Sequence, residues 1–395
     1  MIEFDERPNQ LGTNIKIIGV GGAGGNAINT MIRNELGDVE FIAANTDSGD
    51  LQKSLAKMKL QLGKKLTRGL GTGANPETGS RSAEESKDEI KSHLEGADMI
   101  FLAAGMGGGT GTGATPIIAK IAREMGILTL GIVTTPFPFE GEKRAENADH
   151  GIRHLSEYVD TLIVIPNEKL CEIYGNATIM SAFQNADNIL YEAAKAVSDI
   201  ITITGLINVD FADVKAVMQN SGYALMGTGV AEGENRAINA ARAAINNPLL
   251  SDISLAGCKS LLLNIIAGED ILMNETDEVS NVIVNETGTG ANIFMGLIID
   301  EKMTGKISVT IIATGLEKNS HTDILEFPDF KSPKGKQTEI TSNDNDKDEI
   351  SSIMRNLGIN SQSSGKDKPD FASAEDPTRI KPMRTDVPSF LKALD

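Results

Sequence analysis

Directly after the apolar run Met99–Ala104 the chain continues Gly105-Met106-Gly107-Gly108-Gly109-Thr110-Gly111-Thr112-Gly113, with five glycines and two threonines in positions 107–113. Such a run is well suited to lining up backbone amides and hydroxyls around an anion. Four more glycine-rich or polar loops end apolar runs in the same way. They are Gly19-Val20-Gly21-Gly22-Ala23-Gly24-Gly25-Asn26 after the strand that begins at Ile15, Asn45-Thr46-Asp47 after Phe41–Asn45, the stretch from Thr134 to Arg144 after Leu128–Thr134, and Pro166-Asn167-Glu168 after Thr161–Pro166.

Each apolar run places β-branched or apolar residues on consecutive positions, the pattern of a strand buried on both faces. Between them, segments such as Ala83–Leu94 and Pro116–Met125 have helical spacing. Alternating strands and helices predict a parallel sheet covered on both sides, and in such sheets ligands bind at the carboxyl ends of the strands. Gly19, Gly21 and Gly24 satisfy GxGxxG, while no GxxxxGK[ST] occurs, so a Walker-type loop is excluded.

A long helical pattern follows over about Ser181–Ile203, with Phe183, Leu190, Ala194, Val197 and Ile201 at three- and four-residue steps. Helical stretches around Phe211–Gln219 and Glu234–Asn246 come next, then strand-like runs Ser260–Ala267, Asn292–Ile299 and Ile307–Ala313. The expected architecture is α/β: a parallel-sheet domain (14–180) joined by a central helix (181–205) to a smaller α/β domain (206–317). A flexible segment (1–13) precedes them, and a polar stretch (318–376) and a terminal peptide (377–395) follow. The polar stretch has too few large apolar residues to offset its ordering entropy and reads as a disordered linker. As a coil it spans about 40 Å root-mean-square. In the peptide, Val387, Phe390, Leu391 and Leu394 fall at i, i+3, i+4 and i+7 after Asp386 and Pro388, beside Arg379, Lys381 and Arg384. So short a helix needs a partner groove. A second stripe with that spacing, Ile350, Ile353, Met354 and Leu357, lies inside the linker.

Composition removes several classes of function. The net charge is −18 with no basic patch in the first 320 residues, and Trp is absent, which argues against nucleic-acid duplexes and stacked single strands. No apolar run approaches the ~18–20 residues of a membrane span, and the start MIEFDERPNQLG lacks the order of a secretion signal. Cys171 and Cys258 are too few for a disulfide framework and are expected to be buried thiols in a reducing cytoplasm. His150 and His154, four apart, read as an exposed helix face because no third metal ligand stands out.

GGGTGTG after a strand, with GVGGAGGN, NTD, GTGANPE and NVDFADV in this order, resembles the tubulin/FtsZ family from about Asn14 to Leu316. The resemblance implies a GTPase that polymerises head to tail into a filament of the bacterial division ring, cytoplasmic and placed at the division site. It implies GTP and GDP as ligands, Mg2+ bound through the nucleotide phosphates, and leaves a monovalent cation open. Residue by residue, it places Gly22, Ala23, Gly24, Gly25 and Asn26 around the phosphates, together with Gly107, Gly108, Gly109, Thr110 and Gly111 and on to Gly113. Thr72, Gly73, Ala74 and Asn75 would meet the γ-phosphate region, Glu140 and Arg144 the ribose, and Asn167 the sugar and base. Phe183 and Asp187 would take the guanine. That pair also makes sense unaided: i and i+4 share a helix face, a ring can cover the base, and a carboxylate accepts from the ring N–H and exocyclic amine that adenine does not offer together.

Asp210 and Asp213, alone, would read as a helix N-cap and a dipole partner. By the resemblance, Asn208, Asp210 and Asp213 are instead catalytic, docked on the nucleotide of the next subunit, where the carboxylates polarise a water that Asn208 orients. The terminal peptide resembles the family's adaptor-binding peptide, which implies membrane adaptors such as FtsA as partners. Departures are Ala23 for a common glycine, Thr72 for alanine and Thr135 for a basic residue. Two other readings compete. A non-hydrolysing tubulin-like scaffold would not need both Asp210 and Asp213. A nicotinamide-dependent oxidoreductase would put Asp47 on the ribose, but Asp47 lies further from Gly19 than the ~20 residues expected and the 105–113 loop would go unused.

Overall fold

The consecutive apolar runs form strands with almost no exposed residue. In the computed structural model, which describes residues 12–315 except 176, 177, 251–254 and 289, they are β1 (Ile15–Val20), β2 (Val39–Asn45), β4 (Met99–Gly105), β5 (Leu128–Thr134) and β6 (Thr161–Ile165), with the short β3 (Met58–Gln61) after β2. The linker, the terminal peptide and the 350–357 stripe lie outside the described residues. Between the strands come α1 (Gly21–Arg33), α2 (Ser48–Lys53), α3 (Pro76–Glu85), α4 (Lys87–Leu94), α5 (Thr110–Glu124), α6 (Glu142–Ser156) and α7 (Asn167–Tyr174). The central helix α8 (Ile179–Thr202) leads to α9 (Phe211–Met218), β7 (Gly222–Glu232), α10 (Arg236–Ile245), β8 (Ser260–Ala267), α11 (Met273–Thr287), β9 (Asn292–Ile299) and β10 (Lys306–Thr314).

All strands hydrogen-bond into one ten-stranded sheet of order β3-β2-β1-β4-β5-β6-β7-β10-β8-β9. The first seven are parallel, with Ile17 of β1 opposite Phe41 on one side and Phe101 on the other. β10 runs antiparallel to both β7 and β8. The strand order reverses direction between β1 and β4, so their carboxyl ends open the crevice where open α/β sheets bind ligands. Those two ends carry the two glycine-rich loops. On one face of the sheet, Ala27, Ile28 and Met31 of α1 and Leu190, Ala194 and Val197 of α8 pack on Ile17, Phe101 and Leu130. On the other, Ile90, Ile118, Ile121 and Ile152 pack on Ile18, Ile100 and Leu102.

The structure departs from the sequence reading at four places. Strand β7, with glycines at 222, 227 and 229, has no counterpart in the sequence reading, yet Gly227 and Gly229 are what let α10 lie on it: a Cβ there would stand 2.2 Å from the Ala244 carbonyl and 2.3 Å from the Ala240 carbonyl. Helix α11 is polar and rich in β-branched residues, and only Val279, Ile283 and Thr287 mark its buried face. The Ala83–Leu94 stretch is two helices broken at Ser86. Helix α5 begins at Thr110, so Pro116 sits inside it rather than at its first turn.

Arg236 ties the C-terminal elements together. Its guanidinium, 8% exposed, donates to Glu275 Oε1 at 2.7 Å and to Asp270 Oδ2 at 2.6 Å. It thereby holds both carboxyls below their ordinary range, Glu275 chiefly through that hydrogen bond. Arg236→Ala should destabilise the fold, by less than the loss of a fully buried pair would because Asp270 is solvent-accessible. For carboxylates whose folded pKa is lowered, the contribution is present at neutral pH and lost as pH falls below the ordinary carboxyl range. The gap in unfolding free energy between wild type and variant, measured in urea, should therefore narrow in acid.

Candidate functional site

The N-termini of α1 and α5 meet at the β1/β4 crevice. Gly21, at φ +75°, is so near α5 that a Cβ on it would stand 3.0 Å from the Gly111 nitrogen. Neither helix has a side-chain cap or an acidic residue in its first turn. Both therefore present unfilled amide donors and the positive ends of their dipoles, the arrangement that binds phosphate groups.

The glycines divide into two sets. Gly24, Gly109, Gly111 and Gly113 serve packing: a Cβ on each would fall 2.1–2.5 Å from the Ala103 carbonyl, Thr72 Oγ1, the Gly105 carbonyl and the Pro76 carbonyl respectively, or nearer still for the last, at 1.9 Å. Gly25, Gly73 and Gly108 face space with nothing within 4 Å, and Gly22 meets only Asp50 Oδ2 at 3.8 Å. At those four positions a ligand can approach bare backbone. A cavity of about 130 Å³ continues from Gly22 and Asn26 to Asp50 and Lys53 of α2.

Several groups stiffen this edge. Thr46 and Thr110 share a buried 2.7 Å hydrogen bond between the loop after β2 and the first turn of α5. The Gly107 amide donates to Thr112 Oγ1 at 2.8 Å, and Asn147 Nδ2 reaches the Gly107 carbonyl at 3.4 Å. Asn75 caps α3, accepting from Glu77 N at 2.9 Å, while Gly73 and the left-handed Ala74 turn the chain before it. Asp47 is spent as the cap of α2, accepting from Gly49 N and Asp50 N. An N-cap carboxylate fixed on two amides is poorly placed to read a ribose, which removes the main support of the oxidoreductase reading.

At the other end of the edge stands an aromatic group. Phe137 is buried and stacks on Phe139 at 5.2 Å, and Phe183 meets Phe137 edge-on at 5.2 Å. Phe183 is 44% exposed and Phe139 60%, so two faces are free for a flat ligand. One turn along α8 from Phe183, the Asp187 carboxyl is pushed up to about 7 by burial, with Arg33 of α1 pulling the other way. Asn167, 5% exposed at the start of α7, leaves its Oδ1 without a partner. Glu140 accepts from the Phe137 amide at 3.0 Å and pairs with Arg144.

Asn208, Asp210 and Asp213 are not at this edge. They follow the far end of α8, where Asp210 caps α9 by accepting from Asp213 N at 2.8 Å and Asn208 Oδ1 accepts from Gly205 N at 2.6 Å. At about 1.5 Å per residue, Thr202 lies about 22 Å along the helix from Asp187. Thr46, Phe137 and Phe139 lie in the loops that the sequence singles out, though it gives them no individual role; Asn147 goes unnamed there, and nothing local marks it. Cys171 is exposed on α7, contrary to expectation, whereas Cys258 is buried. His150 and His154 are exposed, as expected.

A parallel sheet ordered 3-2-1-4-5-6, with two uncapped helix ends at its switch point, is the arrangement of a nucleotide-binding protein. The long helix leading from it to a second group of strands that completes the same sheet sets this one apart from a plain doubly wound domain. Residues 14–175 match the Tubulin/FtsZ family GTPase domain, and residues 222–317 the FtsZ family C-terminal domain. The chain is 54% identical over 303 residues to the cell division protein FtsZ of Pseudomonas aeruginosa, covering 76% of this chain and 77% of that one. Among solved structures it resembles an FtsZ dimer from M. jannaschii, with TM-score 0.75 and 42% identity over 78% of this chain and 90% of the other. It shares its fold with CetZ2 from Haloferax volcanii, solved as a GTPγS-bound protofilament, at TM-score 0.68 and 23% identity over 79% and 96% of the two chains. The chain belongs to the FtsZ family of tubulin-like GTPases.

Proposed function

We propose that GTP lies along the carboxyl edge, its phosphates between the first turns of α1 and α5 and its guanine on Phe183 and Asp187, and that the chain polymerises head to tail so that one subunit completes the next subunit's site. The phosphates face Gly22, Gly25, Asn26, Gly73 and Gly108, with Thr72 to Asn75 nearest the γ-phosphate. Asn167 Oδ1, buried and unpartnered, supplies an acceptor for a sugar hydroxyl or the base. Glu140 and Arg144 border the ribose.

The observation that carries this reading is the separation of the two halves of the chemistry. The edge holds the donors that would neutralise a phosphate chain, while its carboxylates are engaged elsewhere: Asp47 caps α2, Asp50 pairs with Lys53 and Glu140 with Arg144. Asn208, Asp210 and Asp213 stand beyond the other end of α8 and cannot fold back on the same nucleotide. Stacking subunits in one direction brings such a loop onto the next edge, where the carboxylates polarise water for attack on the γ-phosphorus. Catalysis of phosphoryl transfer is mainly positioning and charge neutralisation. Among the described residues no group of three or more His, Cys, Asp or Glu is arranged around a metal. Mg2+ would be held mainly through the nucleotide's phosphates, since it keeps water and phosphate ligands and uses few from protein. A monovalent cation at the phosphates is compatible with the same site.

In this reading the chain works at the division site, with the domain limits 14–180, 181–205 and 206–317, and residues 377–395 bind membrane adaptors such as FtsA. No helix among the described residues is long and apolar enough to cross a membrane. Deleting 377–395 should leave GTP turnover unchanged and abolish recruitment to membranes bearing the adaptor; retained recruitment would shift the role to the 350–357 stripe. With intact protein, GTP should raise light scattering together with phosphate release, and GDP neither. Phosphate release without assembly would refute the shared site.

A further inference from the structure

We propose that β9 is the template that sets the catalytic loop, with Gly205 and Leu297 as its positioning residues; this rests on the catalytic role given above to Asn208, Asp210 and Asp213. The loop after α8 does not hang free. Leu206 N donates to the Leu297 carbonyl at 2.8 Å, and Leu297 N donates to the Ile207 carbonyl at 3.0 Å. This makes an isolated antiparallel bridge, Ile207 to Leu297, on the outer edge of the sheet. Leu206 and Ile207 at the bridge are exposed, and just past it Asn208 and Asp210 are exposed on either side of Val209, which is buried at 6% exposure and anchors the loop. The bridge therefore fixes the chain immediately before Asn208 and Asp210, and the Asn208 Oδ1 bond to Gly205 N closes the loop behind them.

Gly205 is what permits the contact. It is not among the positive-φ residues, so its backbone conformation does not itself demand glycine. A Cβ at 205, however, would stand 2.3 Å from the Leu297 carbonyl oxygen and 3.1 Å from its carbon, which backbone cannot yield to without moving the loop. Gly296, the next residue on β9, makes the opposite case. A Cβ there would meet Ile200 Cγ1 at 3.5 Å and Val209 Cγ2 at 3.8 Å, ordinary contact distances. The two glycines lie on the two sides of one junction, and only one of them is sterically required.

The test uses full-length protein and reads turnover, GTP affinity and amide exchange at Leu206, Ile207 and Leu297. Gly205→Ala should keep GTP affinity within about threefold and lose turnover by about 100-fold, the scale of a displacement near 1 Å in a positioned group, while exchange at the three amides accelerates. Gly296→Ala should stay within about threefold in turnover, with exchange unchanged. Turnover near wild type in Gly205→Ala overturns the proposal, as does lost turnover with the amides still protected. Asp210→Ala is measured in parallel: full turnover there would sink the catalytic reading of the loop, and exchange would still judge the clamp. Should Gly205→Ala fail to fold, the wild-type protein decides, since exchange at Leu206 and Leu297 at the rate of unprotected amides contradicts the bridge.

Discussion

Asp210→Ala should lower GTP turnover by about 10²–10⁴-fold, the usual range for a positioned acid–base group, and leave nucleotide affinity intact. The separation along α8 makes this combination specific: a residue beyond the far end of the helix cannot touch its own subunit's nucleotide. Asp210 also caps α9, and loss of a cap costs about 1 kcal/mol, so alanine mixes two effects. Asp210→Asn separates them, because asparagine caps as well but carries no charge. Turnover should fall in both variants and helix stability only in the first. Mixed into wild-type protein, either variant should depress activity by more than dilution, since each defective loop silences a neighbour's intact site. A variant that cannot bind GTP would overturn the assignment.

The second large effect is on base choice. Asp187→Ala should weaken GTP by roughly 1.5–3 kcal/mol, about 10–100-fold, the value of a charge-assisted bond, and change ATP little. Equal losses for the two nucleotides would remove Asp187 from base reading. Burial pushes the Asp187 carboxyl up to about 7, which adds a pH signature. Guanine needs the ionised form, which accepts from both donors; the protonated carboxyl accepts from only one. GTP affinity should therefore plateau above pH 7 and fall as pH drops through it, and Asp187→Asn should be flat over that range. An unchanged slope in that variant would place the titrating group elsewhere.

What the sequence made legible was what is local. β1 and β5 match their apolar runs residue for residue, because strands buried on both faces leave uninterrupted β-branched patterns. The two glycine loops stand at the edge that strand alternation assigns them. Features decided by long-range packing were hidden. The glycines of β7 serve α10, and the buried face of α11 is too thin to outweigh its polar residues. The start of α5 was obscured because Gly111 and Gly113 are poor helix formers that the Gly105 and Pro76 carbonyls require. In the candidate site, Phe183 and Asp187 were legible as an i, i+4 pair. Asn147 and the Gly205–Leu297 junction were not, since each depends on a segment far away in sequence.

Specific activity as a function of protein concentration tests the central claim most directly. If every active site is built from the nucleotide edge of one subunit and the 208–213 loop of the next, phosphate release per molecule must disappear below a threshold concentration and rise steeply above it. Light scattering should appear at the same threshold, and Asp210→Asn should keep the scattering threshold while losing the activity. Constant turnover per molecule down to nanomolar protein would show that one chain hydrolyses GTP alone, and would contradict the shared site.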